Sequence, residues 1–302
     1  MNRALATIVT YNRKELLCEC LEALLHQSCA CFDILIVDNA CTDGTKAAAE
    51  RFRERFEKQG QTFLYRRTKK NLGGAGGFSA AVKEAVRLGY EHAWLMDDDT
   101  VPETAAFEKL LEAGEKLDGI YSYLASCVLW TDRTPCIMNL TEPKKDSCRN
   151  LKLLKQGILP VRRASFVSLL VPIEKVKQIG LPIRQFFLYA DDVEYTERLG
   201  RLGDGYLVTD SLVIHKLKEN TAADPVTAPE EKIDRGFYDS RNRFYIAKQN
   251  GLRGLCSYFY HQAKYALRIL SEAENEKKRR LWILLKGTFA GIFFSPEIEM
   301  PE

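Results

Sequence analysis

The chain has 302 residues, of which 46% are hydrophobic, enough for a sizeable core in one large domain or two smaller ones. Its 44 basic and 41 acidic side chains nearly cancel, so no global field points to nucleic acid. The nine cysteines, an odd number scattered along the chain, fit a reducing compartment better than a disulfide framework.

The apolar run within MNRALATIVTYNRKE is too short for a signal peptide and leads directly into a predicted strand. No stretch reaches about 18 uninterrupted apolar residues, so we expect no transmembrane helix. We therefore predict a cytoplasmic protein.

Up to about residue 120 the chain alternates predicted strands and helices. The predicted strands cover residues 4–10, 32–39, 62–67 and 92–97. The predicted helices cover residues 13–28, the segment TDGTKAAAERFRERF and residues 77–89. This order predicts an α/β fold with a mainly parallel sheet and helices on both faces, which binds ligands at the carboxyl ends of its strands.

The pattern is less regular after residue 120, with strands predicted over 163–173 and 205–215. The polar stretch KLKENTAADPVTAPEEKID then predicts a loop or linker, and the chain from Gly236 onward is predicted to be helical. We therefore predict a domain over residues 1–218, followed by a linker and a helical region over 219–302.

Four polar or glycine-rich clusters follow the first four strands: TYNR, VDNACTDGT, NLGGAGGF and DDD. Because parallel strands end at the same edge of a sheet, these clusters are predicted to open onto one edge. This convergence is the main indication of a ligand site.

Three aspartates, Asp97, Asp98 and Asp99, follow the fourth strand in WLMDDDT. At roughly 5 Å and an effective dielectric near 20, each pair repels by about 3 kcal/mol, which favours a bound cation. Side chains two apart in an extended chain face the same side, so Asp97 and Asp99 are predicted to converge on Mg²⁺ or Mn²⁺. Asp98 is predicted to point away or to cap the next turn. The alternative is a solvated turn in which Asp99 or Thr100 caps the following helix.

The segment NLGGAGGF (71–78) is predicted to be a loop whose backbone approaches a ligand closely, before a helix N-terminus that favours phosphate. It does not match G-x-G-x-x-G, because position 79 is Ser, and it lacks the lysine of a P-loop. A flexible glycine turn is the alternative.

Two other strand ends are open to two interpretations. Asp38 and Asn39 could accept hydrogen bonds from a base or ribose, or form an ordinary turn before a helix. Asn12 could bind the ligand or cap a helix. Cys18 and Cys20 lie about 200° apart on a predicted helix, which indicates packed thiols and not a zinc site.

A second acidic group, Asp191, Asp192 and Glu194, lies at the start of a predicted helix in YADDVEYTERL. The helix dipole favours negative charge there, which is the structural interpretation. The functional interpretation makes one of these residues a general base that removes a proton from a hydroxyl. His215 ends an apolar strand and is either a structural histidine or a nitrogen ligand of the metal.

The segment EKKRRLWILLKGTFAGIFF combines a basic cluster with an aromatic and aliphatic stretch. It is typical of a helix at an anionic membrane surface, here the inner face of the plasma membrane. A packed terminal helix or an oligomer contact is the alternative.

Together these motifs resemble family-2 glycosyltransferases of the GT-A fold, over residues 3–250. The resemblance rests on VTYNR, VDNACTDGT, DDD, ADDVEYTERL, His215 and FYDSRNRFY (237–245). NLGGAGGFSAA, followed about 20 residues later by the three aspartates, is most similar to bacterial galactofuranosyltransferases, with rhamnosyltransferases next. The resemblance implies a GT-A domain with a C-terminal helical extension.

It also implies inverting transfer from a UDP- or dTDP-linked sugar to a hydroxyl of a glycan or lipid-linked glycan, in cell-surface polysaccharide synthesis. Galactofuranose from UDP-galactofuranose is the first expectation, and rhamnose from dTDP-rhamnose is the second. Polymerising galactofuranosyltransferases are often much longer, so this chain need not share their substrate or their repeated addition.

The resemblance assigns roles by matching motifs. The residues expected to hold the nucleoside are Thr10, Asn12, Asp38 and Asn39. Those expected along the sugar or diphosphate are Asn71, Gly73, Gly74, Gly76, Asp97 and Asp98. The expected ligands of Mn²⁺ or Mg²⁺ are Asp97, Asp99 and His215. Asp191 is the expected base, with Tyr189 and Asp192 beside the acceptor and with Asp192 and Glu194 as alternative bases.

Two other classes compete with this one. A sugar-phosphate nucleotidyltransferase would have a glycine-rich loop followed by Arg and Lys after the first strand, and TYNRKELL lacks the glycines. A non-catalytic nucleotide-sugar binding protein stays open.

Overall fold

Ten strands form one sheet in the computed structural model, which describes residues 4–301. The strands in chain order are β1 (Ala4–Thr10), β2 (Phe32–Asp38), β3 (Phe63–Arg67), β4 (His92–Asp97), β5 (Thr100–Pro102), β6 (Tyr123–Leu129), β7 (Glu142–Pro143), β8 (Ile158–Arg163), β9 (Leu169–Pro172) and β10 (Gly205–His215). The helices are α1 (Lys14–Leu25), α2 (Thr45–Lys58), α3 (Gly73–Arg87), α4 (Ala106–Lys116), α5 (Leu151–Lys155), α6 (Ile173–Ile179), α7 (Asp191–Leu199), α8 (Gly236–Gln249), α9 (Gly251–Glu272) and α10 (Lys277–Phe293). The outer ends of the two predicted domains, at Met1 and Glu302, lie outside the described residues.

The strand order is β3-β2-β1-β4-β9-β6-β10-β8-β7, with β5 paired to β10. The first four strands pair in parallel, β6 and β10 are also parallel, and β9 runs antiparallel between β4 and β6. The register places Thr10 beside Asp38 and Val9 beside Asp97. The predicted α/β fold with a mainly parallel sheet is confirmed, and its strand ends meet at one edge.

Helices cover both faces of the sheet, as the packing of β1 shows. Ala6 and Ile8 of β1 pack in the same cluster as Leu21 of α1, whereas Leu5 and Val9 pack with α3 on the other face. Every residue of β1 is buried, as expected for a strand between two helical layers. Cys20 is buried in the first cluster and Cys18 packs against it, as predicted for packed thiols.

The predicted glycine-rich loop is wrong, because α3 begins at Gly73 and takes up most of that segment. A Cβ on Gly77 would lie 2.4 Å from Cγ1 of Val9, and one on Gly73 would lie 2.0 Å from the carbonyl oxygen of Phe187. These glycines therefore let the first turns of α3 lie directly against β1 and against the chain at Phe187.

The strand predicted over 163–173 is also wrong, because β8 already ends at Arg163 and only β9, Leu169–Pro172, lies within that range. β8 pairs with β10, whereas β9 pairs with β4 and β6. Between them a turn of 3₁₀ helix buries Phe166, whose ring lies 4.6 Å from that of Phe78. Burial of this aromatic ring ends the extended run.

The C-terminal helices form a small bundle in which α8 contacts both α9 and α10. On its other side α8 packs against the chain before α7, where Tyr245 and Ile246 join a cluster with Phe186 and Ala75. Among residues 4–301, no helix has the length and apolar character needed to cross a membrane.

The packing of α3 yields a stability prediction. We expect Gly77→Ala to lower the free energy of unfolding by about 1–2 kcal/mol, because the new methyl group overlaps Val9 in the core. Gly74→Ala in the same helix meets nothing within 4 Å and should leave stability unchanged or slightly higher. Urea unfolding of the two variants measures the difference, and equal stabilities would contradict the close approach of α3 to β1.

Candidate active site

Asp97, Asp99 and His215 lie together at the carboxyl edge of the sheet. Asp97 ends β4, Asp99 lies in the two-residue turn before β5, and His215 ends β10 opposite Thr100. One ligand atom from each of the three lies within 4.8 Å of the others. The two aspartates converge as predicted, but a tight turn between β4 and β5 brings them together and not strand alternation.

The imidazole of His215 is held at both nitrogens. Nδ1 lies 2.7 Å from Oδ1 of Asn139, and Nε2 lies 3.0 Å from Oδ1 of Asp99. An acceptor at Nδ1 favours the proton on that nitrogen, so in the neutral ring the lone pair of Nε2 faces the carboxylates. Metal-binding histidines are commonly held in this way by a second polar group.

Asp98 is not one of the three residues of this cluster, and its side chain lies toward the end of β1. Its carboxylate accepts the backbone N–H of Tyr11 at 3.3 Å and lies 3.4 Å from Nη1 of Arg13. The same Arg13 nitrogen donates to Oδ2 of Asp99 at 2.7 Å. The side chain of Arg13 is 51% exposed, whereas those of Asp98 and Asp99 are buried. A half-exposed cation therefore lies over two buried acids.

The three aspartates and His215 at this edge have shifted pKa values. Burial and the charge of Asp99 raise the pKa of Asp97 to about 7, and burial raises the pKa of Asp98 to about 6. Burial also acts on Asp99, but its hydrogen bond with His215 and the charges of His215 and Arg13 outweigh it and lower its pKa. Burial alone would lower the pKa of His215, yet its hydrogen bonds with Asp99 and Cys136 raise it to about 10. The positive charges of His215 and Arg13 therefore compensate only part of the negative charge at this edge.

These residues fit a divalent cation. Two carboxylates and one imidazole form a ligand set that suits Mn²⁺. The two carboxylates also suit Mg²⁺, which prefers oxygen ligands to nitrogen. The spacing of the three ligand atoms allows a single ion between them. A cation there would also relieve the repulsion that keeps the pKa of Asp97 high.

Asp191, Asp192 and Glu194 differ in their surroundings. Glu194 is paired through both oxygens with Arg198, at 2.8 and 2.9 Å, and both side chains are buried. Asp192 accepts the backbone N–H of Val193 at 2.7 Å. Asp191 is the first residue of α7, and burial, the charge of Asp192 and the charge of Asp97 raise its pKa well above the ordinary value. The charge of Asp97, one of the three candidate metal ligands, therefore acts on Asp191.

The chain just before Asp191 has an unusual backbone. Phe187, Tyr189 and Ala190 have φ values of 64°, 66° and 62°, in the left-handed region that non-glycine residues rarely occupy. Each such residue costs on the order of 1–3 kcal/mol and persists only where its surroundings fix it. Tyr189, which we predicted to lie beside the acceptor, is partly buried in this segment.

The residues predicted to hold the nucleoside line the same edge but are already engaged within the protein. Asp38 accepts the backbone N–H of Cys41 at 2.6 Å and the hydroxyl of Tyr65. Asn39 accepts the N–H of Leu72 at 3.0 Å and donates to the carbonyl of Gly73 at 2.8 Å. The bonds of Asn39 join the end of β2 to the start of α3, and Thr10 lies beside Asp38 in the sheet.

Asn12 is not a helix cap, because Arg13 occupies the position before α1. Its Oδ1 accepts the backbone N–H of Thr42 at 2.7 Å, which links the ends of β1 and β2. Asn71 accepts the N–H of Gly73 at 2.8 Å, and Gly74 beside it has open space where a side chain would be. All these residues therefore lie at one edge of the sheet. The hydrogen bonds of Asn12, Asn39 and Asn71 connect the loops of this edge to one another.

Sequence reasoning missed several residues of this site. The missed residues are Arg13, Tyr65, Asn139, Arg241 and Asn242. Arg13 lies within the TYNR cluster, and Arg241 and Asn242 lie within FYDSRNRFY, so the motifs contained them without assigning them a part. Tyr65 and Asn139 carry no such signal in the sequence.

Comparison with known proteins agrees with this geometry. Residues 6–134 match the family model described as Glycosyl transferase family 2. The chain is 27% identical over 275 residues to galactofuranosyltransferase GlfT1 of Mycolicibacterium smegmatis, an alignment that covers 83% of this chain and 84% of the relative.

Solved structures share the fold at low sequence identity. One is TarS 1–349 of S. aureus in complex with UDP, with 15% identity, coverage of 97% of this chain and 72% of that chain, and a TM-score of 0.55. The chain spans 44% of a longer structure of TarS. Another is the mannosyltransferase PcManGT from Pyrobaculum calidifontis in complex with GDP-Man and Mn²⁺, with 16% identity, coverage of 95% and 73%, and a TM-score of 0.54.

The fold is that of the GT-A glycosyltransferases, and the protein is an enzyme of this class. More narrowly, residues 6–134 match the glycosyltransferase family 2 model, and the chain is similar to galactofuranosyltransferases. The resemblance read from the motifs is confirmed, and the nucleotidyltransferase and non-catalytic alternatives are set aside.

The protons held at this edge predict how Mn²⁺ binding depends on pH. With raised pKa values, Asp97 and His215 bind protons in the metal-free protein near neutral pH, and both must lose them to become ligands. We expect binding to release protons and the apparent Kd for Mn²⁺ to fall by about tenfold or more from pH 6 to pH 8.

Calorimetry in two buffers with different ionisation enthalpies measures the released protons. Asp97→Asn should abolish binding, whereas Asp132→Asn, at an exposed acid outside the cluster, should leave it unchanged. Affinity that is independent of pH and of Asp97 would contradict the assignment of these ligands.

Proposed function

We propose that the protein is a metal-dependent, inverting glycosyltransferase that transfers galactofuranose from UDP-galactofuranose to a hydroxyl of a glycan or lipid-linked glycan. The observation that carries the proposal is the cluster of Asp97, Asp99 and His215 beside the buried Asp191, at one edge of a GT-A sheet. Similarity to galactofuranosyltransferase GlfT1 supports the choice of sugar. Rhamnose transfer from dTDP-rhamnose is the second candidate.

Asp97, Asp99 and His215 would hold Mn²⁺ or Mg²⁺, which when bound stabilises negative charge on the departing nucleoside diphosphate. Arg13 adds a second positive charge at the same place. Its side chain is half-exposed above Asp98 and Asp99, so the guanidinium can turn from these acids toward a diphosphate. Asp98 then holds the backbone N–H of Tyr11 at the end of β1.

Asp191 is the proposed base. The acceptor hydroxyl gives its proton to the Asp191 carboxylate while its oxygen bonds to the anomeric carbon, and the bond from that carbon to the diphosphate breaks. Attack opposite the leaving group inverts the anomeric centre in one step. Burial raises the pKa of Asp191, which makes its carboxylate a stronger base than one in water. Glu194 is less suited, because Arg198 occupies both of its oxygens.

The donor is proposed to lie along the ends of β1, β2 and α3. Thr10, Asn12, Asp38 and Asn39 border the nucleoside position. The N-terminus of α3 offers backbone N–H groups to the diphosphate or sugar, with open space at Gly74. Tyr189 and Asp192, next to Asp191, border the acceptor position.

The base assignment predicts a specific loss of transfer. Asp191→Asn keeps the shape of the side chain but cannot accept the proton, so we expect kcat to fall by about 100-fold or more. Binding of UDP with Mn²⁺, measured by calorimetry, should stay within about twofold, because Asp191 is not among the metal-type ligands. Asp132→Asn, at an exposed acid that is not part of the cluster, is the matched control with unchanged kcat.

The same assay decides between the donors. Transfer from UDP-galactofuranose with Mn²⁺, and none from dTDP-rhamnose, supports the proposal. The reverse result replaces galactofuranose by rhamnose, and full activity of Asp191→Asn shows that another group is the base.

We also propose that α10 lies on an anionic lipid surface. Its outer face presents Trp282, Leu285, Phe289 and Phe293, which are between 63% and 72% exposed, beside Lys278 and Lys286. The opposite face, with Ile283, Leu284, Gly287 and Gly291, is buried, with the two glycines against α8.

Charge supports a lipid surface over a second copy of the chain. Residues 251–293 contain eight basic and three acidic side chains, a net charge of +5, whereas the whole chain has a net charge of +3. A positive region with exposed aromatic side chains is typical of helices at an anionic interface. A lipid-linked acceptor would then lie at the same surface as the enzyme.

Flotation with vesicles tests this contact. We expect the protein to float with vesicles that contain phosphatidylglycerol and not with neutral phosphatidylcholine vesicles. The double variant Trp282→Ser, Phe289→Ser should lose flotation, whereas Ile120→Ser, at an exposed apolar residue between α4 and β6, should keep it. Flotation unaffected by the double variant, or a dimer that the double variant converts to monomer, would contradict the proposal.

A further inference from the structure

Helix α8 contacts the strained segment that leads into Asp191. Two consecutive residues of α8, Arg241 and Asn242, donate hydrogen bonds to the main-chain carbonyls of this segment. The segment turns through a short 3₁₀ helix, Arg184–Phe186, and then contains three residues with positive φ, Phe187, Tyr189 and Ala190. Of its carbonyls, that of Phe186 also accepts the backbone N–H of Leu188 at 2.7 Å.

Asn242 is fully buried and aimed at three carbonyls. Its Nδ2 lies 3.0 Å from the oxygen of Phe186, 3.0 Å from that of Leu188 and 2.8 Å from that of Tyr189. An amide nitrogen has two N–H donors, so the three carbonyls share them. Its Oδ1 accepts from Nε and Nη2 of Arg241, at 3.0 and 2.9 Å, which orients the amide with nitrogen toward the segment.

Arg241 reaches the same segment one step earlier. Its Nη2 lies 2.7 Å from the carbonyl oxygen of Gln185 and 3.1 Å from that of Phe186. The guanidinium also lies 4.1 Å from the centre of the ring of Phe294, the residue after α10, and makes a cation–π contact with it.

The opposite side of the segment rests on α3. The N–H of Ala75 donates to the carbonyl of Phe187 at 3.3 Å, where the absence of a side chain on Gly73 leaves room for that carbonyl. The segment is therefore held between the proposed donor side, at α3, and the C-terminal bundle, at α8. Asp191 follows directly after its last left-handed residue, Ala190.

We propose that Arg241 and Asn242 are positioning residues that fix Asp191 against the Asp97, Asp99 and His215 cluster. The inference rests on the proposed function of Asp191 as the base. Without these donors the left-handed residues relax toward ordinary φ values, and the start of α7 shifts with them. A displacement of about 1 Å at a reacting group can cost on the order of 100-fold in rate.

Steady-state kinetics of the full chain, with UDP-galactofuranose and Mn²⁺, test the inference through five variants. Arg241→Met removes the donors and keeps the length, Arg241→Lys keeps a donor, and Asn242→Asp keeps the shape but turns acceptors toward three carbonyls. Asn250→Ala is the matched control, since Asn250 ends the same helix and donates to Ile246 and Glu197. Asp191→Asn reports on the base itself.

We expect Arg241→Met and Asn242→Asp to lower kcat by about tenfold to 100-fold, with the KM for donor and the Kd for UDP and Mn²⁺ within about twofold. Arg241→Lys should recover most of kcat, and Asn250→Ala should match the wild type. A parallel loss of donor binding, or an Arg241→Lys variant no better than Arg241→Met, would overturn the inference. Should Asn242→Asp fail to fold, the two Arg241 variants decide.

The outcome also separates this inference from the function on which it rests. If Asp191→Asn is inactive while Arg241→Met and Asn242→Asp keep the wild-type kcat, the base stands and the positioning role is overturned. If Asp191→Asn stays active, the base assignment fails and the inference fails with it.

Discussion

Repulsion among carboxylates gathered at one edge of a sheet is the constraint on which the rest of this structure depends. Asp97, Asp98, Asp99 and Asp191 come from two distant parts of the chain and influence one another's protonation. A buried carboxylate costs several kcal/mol unless a cation or hydrogen bonds compensate it. Arg13 and His215 compensate part of this charge. The negative charge that remains would face a divalent ion and a substrate bound at this edge.

Strand positions could be predicted well where burial on both faces leaves a continuous apolar run. The bounds of β1 and β4 agree with those predicted, because each run ends abruptly at a polar residue of the edge. The start of α3 could not be predicted in this way. Glycines favour a loop by their intrinsic propensity, whereas here their small size allows contacts with Val9 and Phe187, which lie far away in sequence.

The acidic side chains of the site could be predicted because parallel strands must end together. Their cationic and polar partners could not, because Arg13 is separated from Asp98 by 85 residues and Asn139 from His215 by 76. One usable signal was overlooked. Glu194 and Arg198 are four residues apart on a predicted helix, the spacing of an ion pair, which already weighs against Glu194 as the base.

The contacts of α8 mean that the sheet and the C-terminal bundle are not interchangeable modules. A chimera that replaces the bundle would also remove the amide and guanidinium donors that hold the chain before Asp191. Such a graft keeps its chemistry only if the new helix returns donors to the same carbonyls. Changes on the outer faces of α9 and α10 would leave these donors in place, whereas changes on the face of α8 that contacts the chain before Asp191 would remove them.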